Sequence, residues 1–210
     1  MLLTVSACAT SRSEISMAQP ARLANPDTGT AVAIVRVDDL RHFQISPPEP
    51  STPSLTDDKI GDTAITSRAI ARKRNGYGMA LGDVLLAKGE TVADIVQLAV
   101  ADGFRKAGYR VISAGEPGYD KAVPVTLRVG EFWSWFTPGL IQVTIANRAD
   151  ITLNGALPAL TPDLIIHSEV NDQMMAVYES DWQKITARAL DQVSDKVAEA
   201  LKQKSGPRIS

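Results

Sequence analysis

From Val123 to Leu153 the chain reads as two long runs of period two, a pattern that constrains the fold more than any other stretch. Val123, Val125, Leu127 and Val129 alternate with Pro124, Thr126 and Arg128. Ile141, Val143, Ile145, Ala149, Ile151 and Leu153 alternate with Gln142, Thr144, Arg148, Asp150 and Thr152. Successive strand residues face opposite ways, so each run has an apolar and a wet side, as in an antiparallel sheet with one solvated face. Between them, Thr137-Pro138-Gly139-Leu140 has Pro and Gly where a type II turn needs them. Asn154-Gly155 turns the second run, and Leu164 to about Val177 continues a meander.

Two segments switch to helical spacing. Val92, Ile95, Val96, Ala99, Val100 and Phe104 recur on one helix face. Thr91 is placed to cap that helix, with Asp94 at N3, and Gly108 ends it as a left-handed residue. Later, Trp182, Ile185, Ala189, Val193, Val197 and Leu201 form the stripe of a long amphipathic helix. Ser180 and Gln183 read as its capping box, and Gly206-Pro207 stops it. Each helix needs a surface to cover and the meander offers one. The expected class is α+β: an antiparallel meander covered by two amphipathic helices, in two layers.

The remaining segments fit one α+β domain over residues 30–205. Ala31 to Val37 is short and β-branched, a buried strand. Ser46 to Ser54 carries four prolines, which cannot sustain a ladder, and reads as an exposed mobile loop. Between residues 61 and 90, Asn75-Gly76 is a hairpin signal and one or two edge strands are expected. Gly76-x-Gly78 has the spacing of a nucleotide loop but lacks a Lys-Ser/Thr, so an irregular loop is the better reading.

Composition narrows the function. The net charge is −2, so no global field favours nucleic acid. The single Cys and two His leave little for a disulfide framework or a metal centre. There is no G-x-S-x-G, no H-E-x-x-H and no zinc spacing, and His42 and His167 stand apart from any nucleophile. No enzyme activity and no cofactor are expected.

The one Cys is Cys8, after Val5-Ser6-Ala7. An aliphatic residue, two small residues and Cys resemble a bacterial lipobox, the end of a lipoprotein signal peptide. There the chain is cut before the Cys and its thiol takes a diacylglycerol, with a further acyl chain such as palmitate on the new amino group. Residues 1–8 then read as signal remnant and lipobox, and residues 9–29, polar with Pro20, Pro26 and Gly29, as a flexible tether. Ala9 rather than Asp after the Cys resembles the pattern of outer-membrane lipoproteins, anchored on the periplasmic face.

The layout from residue 91 to 200 resembles the YajG-like family of bacterial lipoproteins. The resemblance rests on the helix ending in Phe104-Arg105-Lys106-Ala107-Gly108-Tyr109 and the strand pair from Val125 to Asp150, with Ala149-Asp150-Ile151 near its end. It also rests on the Tyr178-to-Trp182 approach to the last helix, and on that helix. The family implies a lipid-anchored domain in the cell envelope and lends no catalytic residues.

Two surface features are candidates for binding. Arg68, Arg72, Lys73 and Arg74 are the one basic cluster, either a solvated face or a contact for anionic headgroups. Phe132, Trp133, Trp135 and Phe136 load four aromatics into five positions. Uninterrupted alternation puts Trp133 and Trp135 in the core beside Leu127, and Phe132 and Phe136 on the wet face. That face is either covered or meets a partner. The expected role is a non-enzymatic binding or structural module with an envelope protein, glycan or lipid partner. The alternative is an auxiliary lipoprotein of an envelope transport system that holds a lipid or other apolar ligand.

Overall fold

A computed structural model describes residues 12–17, 23–75 and 78–205. Cys8 and the residues around it lie outside the described residues. The elements in chain order begin with β1 (Ser13–Ile15), β2 (Ala31–Asp39), β3 (Gln44–Ile45), β4 (Ser54–Leu55) and α1 (Thr63–Thr66). There follow β5 (Ala69–Arg74), β6 (Ala80–Leu86), α2 (Val92–Lys106), β7 (Arg110–Val111) and β8 (Val123–Pro138). The chain continues through β9 (Val143–Gly155), β10 (Leu164–Met174) and α3 (Glu179–Ser205).

This is an α+β fold built on one eight-stranded sheet, with β3 and β4 as a separate small pair. The expected meander is present as β8, β9 and β10, all antiparallel. The sheet as a whole is mixed rather than antiparallel. One edge of β8 takes β9 along its length. The other is shared by two parallel neighbours, β2 against Val123–Val129 and β5 at Ser134. Beyond β5 lie β6, antiparallel to it, and β1, parallel to β6. The 61–90 segment therefore supplies interior rather than edge strands: Ala69, Ile70 and Ala71 are fully buried.

Both long helices form as their stripes predict. The α2 cap is a complete box, with the Thr91 hydroxyl accepting from the Asp94 N–H and the Asp94 carboxylate accepting from the Thr91 N–H. Gly108 takes φ +91° just past the helix. The α3 cap differs from expectation. The helix starts at Glu179, and the Asp181 carboxylate, not Gln183, reaches back to the Tyr178 N–H at 2.9 Å. Both helices pack on one sheet face, where Val96, Val100, Phe104, Trp182, Ile185, Val193 and Val197 meet Val125, Leu127, Val129, Ile151 and Leu153. They cross closely because Gly103 of α2 has no side chain. A Cβ there would lie 2.7 Å from the Ser194 carbonyl oxygen and 2.7 Å from Val197 Cβ.

The other sheet face is not left wet. The segment from Asp39 to Ser67 folds over it and closes a second core of Leu55, Ile65, Ala69, Leu85, Trp133, Trp135 and Ala146. Arg41 pins that segment. Its side chain has no exposure, and its guanidinium pairs with Asp39 through Nε (2.8 Å) and Nη2 (2.7 Å). It also donates to the Ala69 carbonyl (2.6 Å) and the Thr66 carbonyl (2.7 Å). The expected two-layer packing thus becomes helices, sheet and an irregular cover.

Two loop expectations differ from the structure, each for its own reason. Residues 9–29 are not simply a tether: Ser13–Ile15 is a strand, and Ser13, Ile15 and Met17 are buried at every second position. Asn25 bonds both the N–H and the carbonyl of Val111 through its side chain, at 2.8 and 3.0 Å. The Pro-rich 46–54 segment is anchored rather than loose. Trp133 Nε1 donates to the Pro50 carbonyl at 3.2 Å, and Ser54 is fully buried. In the Pro-rich segment the indole donor thus satisfies a carbonyl that has no ladder partner. The β8–β9 connection also departs from type II geometry. Gly139 is not among the glycines with positive φ, and its N–H donates to the Gln142 carbonyl at 2.8 Å.

Candidate functional site

The aromatic run does not form an exposed patch. Between Val129 and Glu131 the pairing with β9 slips, Val129 facing Ile151 and Glu131 facing Asp150. Gly130 is the extra residue of a β-bulge, and a bulge inverts the alternation after it. Phe132 therefore joins Leu127 and Val129 under the helices with no exposure. Phe136 packs against the same core, its ring 6.3 Å from that of Trp182. Trp133 and Trp135 turn to the opposite face. Trp133 is fully buried against Phe43, with ring centroids 6.0 Å apart, and the Arg148 guanidinium covers Trp135 at 5.1 Å. The expected assignment of faces is thus reversed, and the expected wet-face phenylalanines are core. Gly130, isolated in a strand pattern, was the sequence signal for the bulge.

The basic cluster separates into roles. Arg68 is structural: Nε and Nη2 donate to the Leu86 carbonyl at 2.9 and 2.6 Å, and Nη2 pairs with Glu14 at 2.7 Å. That hydrogen bond holds the Glu14 carboxyl below its ordinary pKa. Arg72 is buried, its Nε 3.8 Å from Asp83 Oδ1, and Asp83 also faces Arg12 at 3.5 Å. Arg74 donates from Nη1 to the Pro47 carbonyl (3.0 Å) and the Gly78 carbonyl (3.2 Å), and from Nη2 to Ser54 Oγ (3.2 Å). Burial, then the neighbouring Arg72 charge, lowers the Arg74 pKa from its ordinary value.

Arg72 and Arg74 together line an open pocket of about 470 Å³ between the Pro-rich segment and the β5–β6 hairpin. Ser46, Pro47, Pro48, Gly78, Met79 and Ala80 complete it. Arg72 is already paired with Asp83, so the cation that this recess, with its hydroxyl and backbone groups, presents to an anionic group is Arg74. Lys73 stands between the two arginines in β5, opposite Gly82.

The two histidines do not converge. His42 is exposed on the covering segment. His167 is exposed on β10 and pairs across the strands with Asp150. No group of three His, Cys, Asp or Glu positioned for a metal occurs among the described residues. Among those residues no helix is long and apolar enough to cross a membrane.

No family model matches the chain, and no curated protein matches it. Among solved structures it is similar to a Xanthomonas campestris protein of family-model DUF330, with a TM-score of 0.47 at 11% identity over 93% of this chain and 95% of that one. It is also similar to a minor lipoprotein from Acinetobacter baumannii, with a TM-score of 0.37 at 10% identity over 56% of this chain and 91% of that one. A lipoprotein from Neisseria meningitidis matches with a TM-score of 0.24 at 9% identity, over 79% and 99% of the two chains. At these values the likeness assigns no residue roles.

Proposed function

We propose that the chain is a lipid-anchored protein of the cell envelope, acylated at Cys8, whose folded domain is a non-enzymatic binding module. The observation that carries this reading is Val5-Ser6-Ala7-Cys8, the only cysteine of the chain in a lipobox pattern. The finer assignments, to YajG-like lipoproteins and to the periplasmic face of the outer membrane, rest on the residue pattern from 91 to 200 and on Ala9. The binding site of the module is the recess holding Arg72 and Arg74, and its ligand carries an anionic group. The transport-auxiliary alternative asks for an apolar groove beneath the Trp133 strand. That space is occupied by Leu55, Ile65 and Phe43, which supports the binding-module reading over it.

The test is Cys8→Ala, expressed in a Gram-negative host with the native upstream sequence. The variant is expected in the soluble fraction, with the parent protein in the membrane fraction. A variant that still floats with membranes places the anchor elsewhere.

A further inference from the structure

The most exposed large apolar side chains gather at one end of the sheet. Among the described residues they are Leu140 (106% exposed), Ile141 (79%), Met175 (72%), Tyr178 (68%) and Met79 (62%). The pairing register places them together. Ala71 of β5 lies level with Ser134 of β8, so the C-terminal ends of these parallel strands lie at one end of the sheet. Arg74 faces Ala80, which brings Met79 to that end. Pro138 faces Val143, which places the Leu140–Ile141 loop there, and Val143 faces Met174, which brings Met175. Tyr178 precedes α3, whose first residue, Glu179, accepts a hydrogen bond from the Ser13 hydroxyl. The opposite end is different: its 156–163 connection buries Leu157, Ala159 and Leu160.

The N-terminal strand bears on what this end faces. β1 runs parallel to β6, from Ser13 opposite Val84 to Ile15 opposite Leu86, and so runs away from the apolar end. Arg12, just before it, pairs with Asp83. Cys8 is five residues before Ser13, so covalent geometry holds it within about 18 Å of that strand.

We infer that this end of the sheet is a bilayer-docking surface, with Leu140, Ile141, Met175, Tyr178 and Met79 entering the interface beside the acyl anchor. The inference rests on the anchor reading above. A phospholipid bilayer is the occupant that the anchor brings within reach. Amphipathic surfaces enter the headgroup boundary through such apolar side chains. Arg74 lies at the same end, as does the recess that it lines, which puts a cationic group at headgroup level.

The test separates docking from acylation. In a Cys8→Ser chain, residues 1–7 are replaced by a hexahistidine tag. The chain is held on phosphatidylethanolamine–phosphatidylglycerol vesicles containing a nickel-chelating lipid. An environment-sensitive fluorophore is attached through Leu140→Cys, or through Ala156→Cys at the opposite end, each then the only thiol. The Leu140→Cys label is expected to shift to shorter wavelength and to be quenched by spin-labelled lipid, and the Ala156→Cys label to do neither. Equal responses from the two labels overturn the inference. So does a Leu140→Cys label that is shielded without quenching by lipid, which marks a protein or second-copy contact instead. Acylation of Cys8 is read separately, from the mass of the native N-terminal peptide, so loss of the anchor reading is not confused with loss of the docking surface.

Discussion

Phe132 and Trp133, consecutive in β8, are both fully buried and lie in different cores. Phe132 packs under the helices and Trp133 under the covering segment from Asp39 to Ser67. Removing either therefore opens a cavity in a filled space. Phe132→Ser and Trp133→Ala are each expected to lower unfolding free energy by about 3–5 kcal/mol. Phe136→Ser, at a half-buried position, is expected to cost less than either. Urea unfolding of the three variants checks this. A Phe132→Ser variant as stable as the parent contradicts the buried placement.

Gly103 sets the approach of α2 to α3. Alanine improves helix propensity by about 1 kcal/mol over glycine. Against that, the new methyl meets a backbone carbonyl and a Cβ, neither of which is the free end of a flexible side chain. The helices must move apart, and Gly103→Ala is expected to be net destabilising by about 1–3 kcal/mol. A thermal melt showing equal or higher stability contradicts the close crossing.

Arg41 joins Asp39, Thr66 and Ala69, and its loss strands a partly buried carboxylate and two carbonyls. Arg41→Ala is expected to cost about 3–5 kcal/mol. Arg41→Lys is not expected to restore it, because an ammonium cannot reproduce the fork that pairs Asp39 through two nitrogens. Limited proteolysis between residues 44 and 62 should accelerate in both variants. Unchanged cleavage in Arg41→Ala would show that other contacts hold the cover.

Glu131 sits beside the bulge, 3.5 Å from Arg148. Burial raises its carboxyl above the ordinary 4.5, opposed by Arg148 and assisted by Asp150 and Glu169. The folded state therefore holds this proton to higher pH than the unfolded chain. The favourable contribution is present in acid and is lost as pH rises through the unfolded value toward the raised folded one. Glu131→Gln, which stays neutral, is expected to gain stability relative to the parent as pH rises from about 4 to 7. A stability difference that does not change with pH contradicts the raised value.

Local periodicity carried the reading where one pattern held. The α2 stripe from Val92 to Phe104, its Thr91–Asp94 box and Gly108 appear as expected, and so does the apolar side of β9 from Ile145 to Leu153. It misled where one residue changed phase. Gly130 inverted the faces of Phe132 to Phe136, so the phenylalanines expected on the wet face lie under the helices and the tryptophans lie under the cover. Long-range pairing was out of reach. Nothing local in Ser13-Glu14-Ile15 announces a strand, because its stability comes from Val84 to Leu86 and from Glu90, which holds Ser16 and Met17. Of the basic cluster, adjacency placed Arg72 and Arg74 at one recess, but Arg68 is spent on the Leu86 carbonyl, a partner 18 residues away.

The anchor at Cys8 is the claim on which the functional reading stands, and one mass measurement addresses it directly. Protein expressed in a Gram-negative host with its native upstream sequence is purified from membranes and its N-terminal peptide weighed. The account predicts a peptide beginning at Cys8 and carrying a diacylglycerol on the thiol. A peptide that runs unbroken through Ala7 and Cys8, with the thiol free, contradicts it.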